Sequence, residues 1–94
     1  MKLVFSERAS KGYLFWQDED QALLDRINGL IEECMRSPFR GTGKPEPLKQ
    51  ELSGWWSRRI TEEHRLVYRV SGKAPDQVLE IAQCRYHYGG PGRR

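Results

Sequence analysis

Long apolar runs are missing from this 94-residue chain. The longest, such as Tyr13-Leu14-Phe15-Trp16, last only a few residues. A bilayer needs roughly 20, so a membrane span is excluded. The opening Met1-Lys2-Leu3-Val4-Phe5-Ser6 is too briefly apolar for a secretory signal, and a polar, charged segment follows at once. Cysteine is scarce: Cys34 and Cys84 stand far apart, with no C-x-x-C and no histidine pairing that suggests zinc. Two buried thiols in a reducing compartment, the cytoplasm, is the favoured reading, with a disulfide left open. Repeats and low-complexity segments are absent as well.

What is present suffices for one small core. Apolar residues make up 37% of the chain, including three Trp, four Tyr and three Phe, which excludes a disordered chain. The length allows one domain. It is expected over residues 1–88, with the Gly/Pro-rich 89–94 as a flexible tail. Charge is unevenly spread. Residues 1–39 carry five basic against seven acidic residues, and residues 40–94 carry eleven against six. The basic half is rich in arginine, whose planar donor fork suits phosphate. Nucleic acid is the simplest polyanionic partner.

Lys2 to Phe5 reads as a strand. Ser6 is a candidate N-cap for a helix over residues 7–17, where Ala9, Tyr13 and Trp16 recur at helical spacing and Gly12 weakens the pattern. Asp18-Glu19-Asp20 suits a second helix start. Leu23, Leu24, Ile27, Leu30, Ile31, Cys34 and Met35 mark an amphipathic stripe that ends by Pro38. Residues 39–49 read as a loop. Gly41-Thr42-Gly43-Lys44 is not a phosphate-binding P-loop, because Pro38 and Pro45 occupy its first and last positions. Trp55–Ile60, His64–Val70 and Gln77–Tyr88 read as strands joined by short hairpin connections. The order β-α-α-β-β-β predicts an α+β fold: a mostly antiparallel sheet with both helices on one face.

Parity sorts that sheet. Leu66, Tyr68 and Val70 belong against the helices, as do Trp56 and Ile60. Ala82, Cys84 and Tyr86 share one face of the last strand, opposite Gln83, Arg85 and His87. The uncovered face therefore collects Arg59, Arg65, Arg69, Arg85 and His87, with Trp55 among them. Arg58 and Glu80 break the sorting, and the expectation is that both lie near sheet edges. Several arginines on one small face repel one another, which a bound polyanion would relieve.

Glu46 stands between Pro45 and Pro47, whose fixed φ angles aim it. A fixed carboxylate, arginines and a histidine are the groups that RNA cleavage requires. The carboxylate takes the 2′-OH proton, arginine stabilises the phosphate, and histidine protonates the departing oxygen. No credible metal cage is visible: His64 and His87 fall on different strands with opposite parity. A catalytically weak RNA- or ribosome-binding module using the same face is the alternative. A DNA-binding repressor has little support, since no helix-turn-helix is apparent.

Four blocks carry a family resemblance: Gly43-Lys44-Pro45-Glu46-Pro47-Leu48-Lys49, Leu52-Ser53-Gly54-Trp55-Trp56-Ser57-Arg58-Arg59-Ile60, Thr61-Glu62-Glu63-His64-Arg65-Leu66-Val67-Tyr68 and Cys84-Arg85-Tyr86-His87-Tyr88. In order and spacing they resemble the YoeB (Txe/YoeB) toxins of bacterial toxin–antitoxin systems, within the RelE-like superfamily. The resemblance implies an mRNA endonuclease that acts in the ribosomal A site without metal or other cofactor. It also implies a YefM-like antitoxin, a tendency to homodimers, and contact with operator DNA only through the antitoxin complex. By the same resemblance Glu46 is the general base, Arg65 the phosphate stabiliser and His87 the general acid. Lys49, Arg59 and Tyr88 line the RNA site, and the basic face adds Arg69 and Arg85. Family members typically end near the residue matching Tyr88, whereas this chain continues through Gly89–Arg94.

Overall fold

The computed structural model describes residues 1–87; Tyr88 and residues 89–94 lie outside the described residues. The elements are β1 (Lys2–Phe5), α1 (Glu7–Glu19), α2 (Gln21–Arg36), β2 (Glu46–Pro47), a 3-10 turn (Gln50–Leu52), β3 (Trp56–Arg59), β4 (Arg65–Ser71) and β5 (Val78–Gln83). The sheet order is β1-β5-β4-β3-β2, parallel between β1 and β5 and antiparallel elsewhere.

Local signals set the helix ends. The Ser6 side chain accepts from Ala9 N–H at 3.0 Å. Asp20 does the same for Leu23 N–H at 3.1 Å, so the last residue of the acidic cluster starts α2. Such caps contribute about 1 kcal/mol each. Helix α1 runs two residues past the expected 17. Gly12 has a tertiary role: a Cβ there would lie 3.3 Å from both Cys84 Sγ and Arg85 Cβ. Its bare backbone lets the chain after β5 pass closely over α1.

The core lies between the helices and one sheet face. Trp16, Leu24, Ile27, Leu30, Ile31 and Cys34 meet Ile60, Leu66, Tyr68, Leu79, Ile81 and Cys84 there. The expected parity of β4 holds, with Val70 packed against that cluster. Both cysteines are buried and free. Burial pushes the Cys34 thiol up to about 11 and Cys84 up to about 12.

Three parity expectations are corrected. Arg58 is no edge residue. It is fully buried on the core face of β3, where its guanidinium meets Glu33, Tyr68 and the carbonyls of Ser37, Arg40 and Thr42. Glu80 is not at an edge either, since β5 lies between β1 and β4. The register explains it: Val67 pairs with Gln83 and Tyr68 with Ile81, so Ala82 is an extra residue, a β-bulge. Before the bulge Leu79 and Ile81 face the helices and Glu80 faces out; after it, Cys84 faces in. Finally, the last strand ends at Gln83 rather than Tyr88. Tyr86 has φ +69°, a left-handed conformation outside the extended region of a regular strand.

Candidate active site

The sheet face away from the helices carries the candidate chemistry. The pairing sets Glu46 beside Ser57, Ser57 beside Val67, and Val67 beside Gln83, one row across four strands. Ser57, Val67 and Gln83 are buried, giving a floor of modest side chains, whereas Glu46 is exposed at the β2 edge. Paired residues across antiparallel strands sit about 5 Å apart, so the row of four spans about 15 Å.

One row further, Arg59 on β3 stands directly opposite Arg65 on β4. Like charges in that position repel. Arg65 is only 8% exposed. Its Nη1 donates to the carbonyls of Thr61, Glu62 and His64 at 2.7, 3.0 and 3.1 Å, which fixes the guanidinium over the β3–β4 hairpin. Arg59 is exposed. On the other side of the floor, Arg69 lies over the Trp55 ring at 4.4 Å and pairs with Glu80 through Nε at 3.0 Å.

His87 reaches this region through its backbone. Gln83 Nε2 donates to the carbonyls of Arg85, Tyr86 and His87 at 3.0, 3.2 and 2.7 Å. Because Gln83 belongs to the floor, this gathers residues 85–87 against the row that contains Glu46. Arg85 departs from the expected placement. Its guanidinium carbon sits 3.4 Å from the centre of the Phe15 ring and 4.6 Å from that of Tyr86. It thus packs on an aromatic of α1 rather than on the open sheet face, because the strand, and its alternation, has already ended. Lys49 precedes the 3-10 turn, exposed, next to a cleft lined by Glu46, Pro47, Leu48 and Leu52. Tyr88 falls outside the described residues. No three His, Cys, Asp or Glu side chains come together as a metal cage among the described residues. No helix among them is long and apolar enough to cross a membrane.

Residues 5–88 match the family model of YoeB-like toxins of bacterial type II toxin–antitoxin systems. The chain belongs to this family. It is 58% identical to Toxin YoeB of Escherichia coli K12 over 88 residues, covering 94% of this chain and all of that one. A YoeB/ParE toxin from Agrobacterium tumefaciens superposes with a TM-score of 0.92 at 55% identity, covering 94% of this chain and 100% of the other. A Staphylococcus aureus YoeB dimer gives 0.83 at 42% identity, covering 94% and 98%. The heterotetrameric YoeB–YefM complex from the same organism gives 0.82 at 42% identity with the same coverage. YafQ from E. coli shares the RelE-like fold at 17% identity, with a TM-score of 0.71 over 92% of each chain.

Two residues of this candidate site were not singled out from the sequence. Gln83 reads there only as a polar residue on the outer face. His64 reads as a histidine of the wrong parity for a metal. Its Nδ1 accepts Tyr86 N–H at 2.7 Å, and its ring packs edge-on against Trp16 at 4.8 Å. Burial is the main cause that holds this imidazole below its ordinary value; Glu63 opposes the shift, while Arg85 and Arg65 add to it. The signal in the sequence was the even parity of His64, which it shares with Leu66 and Tyr68.

Proposed function

We propose that this chain is a ribosome-dependent mRNA endonuclease that cuts in the A site by attack of the RNA's own 2′-OH. Membership of the YoeB-like toxins supports the reading, and one observation carries it. Glu46 and the Arg59–Arg65 pair flank a floor of small buried side chains, to which Gln83 also ties the His87 backbone. In this reading Glu46 takes the 2′-OH proton. Arg65, already oriented by three carbonyls, stabilises the charge that builds on the phosphate, and His87 protonates the 5′-oxygen. Attack is intramolecular, so no water need be positioned. Arg59, Lys49, Arg69 and Tyr88 hold the RNA backbone. Arg85, turned onto Phe15, acts by packing near this face. Residues 1–88 form the toxin domain and 89–94 a tail. The S. aureus structures support a YefM-like antitoxin and a homodimer as partners; operator DNA is reached only through the antitoxin complex.

The test is cleavage of mRNA on programmed ribosomes. Glu46→Gln and His87→Gln should each lower the single-turnover rate by about 10²–10⁴-fold, with far-UV circular dichroism unchanged. Near wild-type cutting by either folded variant would refute the assignment. If ribosome binding is normal and no RNA is cut by the wild type, the binding-module alternative is correct.

A further inference from the structure

Tyr86 is the residue on which the path to His87 turns. Its backbone is left-handed at φ +69°, a conformation tyrosine does not hold unaided. Both of its peptide groups are gripped. Its N–H donates to His64 Nδ1 at 2.7 Å, and its carbonyl accepts from Arg65 N–H at 2.9 Å. His64 is itself fixed, wedged edge-on against Trp16, whose indole Nε1 donates to the Cys84 carbonyl at 2.9 Å. The chain from 84 to 86 is therefore held by side chains of α1 and of the residue just before β4.

We propose that His64 is a positioning residue for His87: by accepting Tyr86 N–H it holds the left-handed turn that presents His87 to the sheet face. The proposal rests on the reading of His87 as the proton donor. His64 touches no RNA in this scheme and moves no proton. It must remain neutral at Nδ1, because a protonated Nδ1 has no lone pair to offer. The groups around it are Glu63, whose carboxylate lies 3.8 Å from Nε2, the cations Arg65 and Arg85, and the rings of Trp16 and Tyr86.

The experiment compares wild type, His64→Leu and His64→Asn by amide hydrogen exchange and by cleavage on ribosomes. Leucine fills the site without an acceptor, whereas the asparagine Oδ1 falls where Nδ1 lies. His64→Leu should lose the protection of Tyr86 N–H and cut up to about 10²-fold more slowly, the scale of a misplacement near 1 Å, with unchanged ribosome affinity. His64→Asn should regain both protection and most of the rate. Wild-type Tyr86 should lose protection as acid protonates His64. A second route, Gln83→Met, removes the other tether and should slow cutting without exposing Tyr86 N–H. Retained Tyr86 protection in His64→Leu would overturn the tether. Lost protection with an unchanged rate would overturn its positioning role. A wild type that cuts no RNA would overturn the endonuclease reading and that role together, while exchange at Tyr86 would still decide the tether.

Discussion

Replacing Arg58 with methionine should be among the most damaging single changes outside the candidate site. The guanidinium is fully buried and makes five hydrogen bonds. Nη1 donates to Glu33 Oε1 and, at 3.1 Å, to the Thr42 carbonyl; Nη2 reaches the Ser37 and Arg40 carbonyls at 2.6 and 2.9 Å; Nε meets the Tyr68 hydroxyl at 3.2 Å. Charge-assisted bonds at about 1.5 kcal/mol each would sum to about 7 kcal/mol. The sum overstates the loss, because Arg40 and Thr42 are exposed and their carbonyls can rehydrate as the loop loosens. Tyr68 also keeps its bond to the Pro38 carbonyl at 2.6 Å. What remains, chiefly the bonds to Glu33, Ser37 and Tyr68, is about 3–4 kcal/mol on the same scale. A domain of this size has about 5–15 kcal/mol in total. With a urea slope near 2 kcal/mol per molar, the midpoint should fall by about 2 M. The assay is equilibrium urea unfolding followed by tryptophan fluorescence. A loss below about 1 kcal/mol would refute the reasoning, since it would mean that the loop over 37–42 is not built around this side chain.

Glu33 provides the pH counterpart. Bonds from the Thr42 backbone and hydroxyl, then from Arg58, hold its carboxyl below the usual value of 4.5. Its contribution should be complete above that value and fade as pH falls through the lowered one, so Glu33→Gln should flatten the acid limb of the stability curve. Neither Cys34 nor Cys84 should react with a maleimide at pH 8 in the native protein, and both should react in denaturant; native labelling would contradict their burial. Arg59→Ala should weaken ribosome or RNA binding and reduce its salt slope by about one unit. Arg69→Ala should do less, because that guanidinium is already paired with Glu80 and stacked on Trp55; equal effects would count against this ranking. Cleavage should survive EDTA once ribosome integrity is controlled, leaving a 2′,3′-cyclic phosphate or its 3′-phosphate hydrolysis product upstream and a 5′-OH downstream. A 5′-phosphate would show that water attacks.

Much of this molecule is legible in short stretches of its chain. Ser6 and Asp20 cap helices through residues three positions away, and the stripe of α2 repeats within its own 16 residues. Leu66, Tyr68 and Val70 alternate within one strand, so parity alone assigns their face. The four sequence blocks sufficed to recognise the family and nominate Glu46, Arg65 and His87. Only the tertiary structure could decide what depends on partners distant in sequence. The guanidinium of Arg58 breaks the sheet's alternation, and its place in the core exists because Glu33 and the carbonyls of Ser37, Arg40 and Thr42 converge on it. The bulge at Ala82 is a mismatch between two strands, invisible in either one, and it turns Glu80 outward toward Arg69. Beyond it the chain stops alternating, because the backbone groups of Tyr86 bond to His64 and Arg65 instead of continuing a ladder. A left-handed residue has no strand period, so parity could not follow Arg85 to Phe15 or His87 to Gln83.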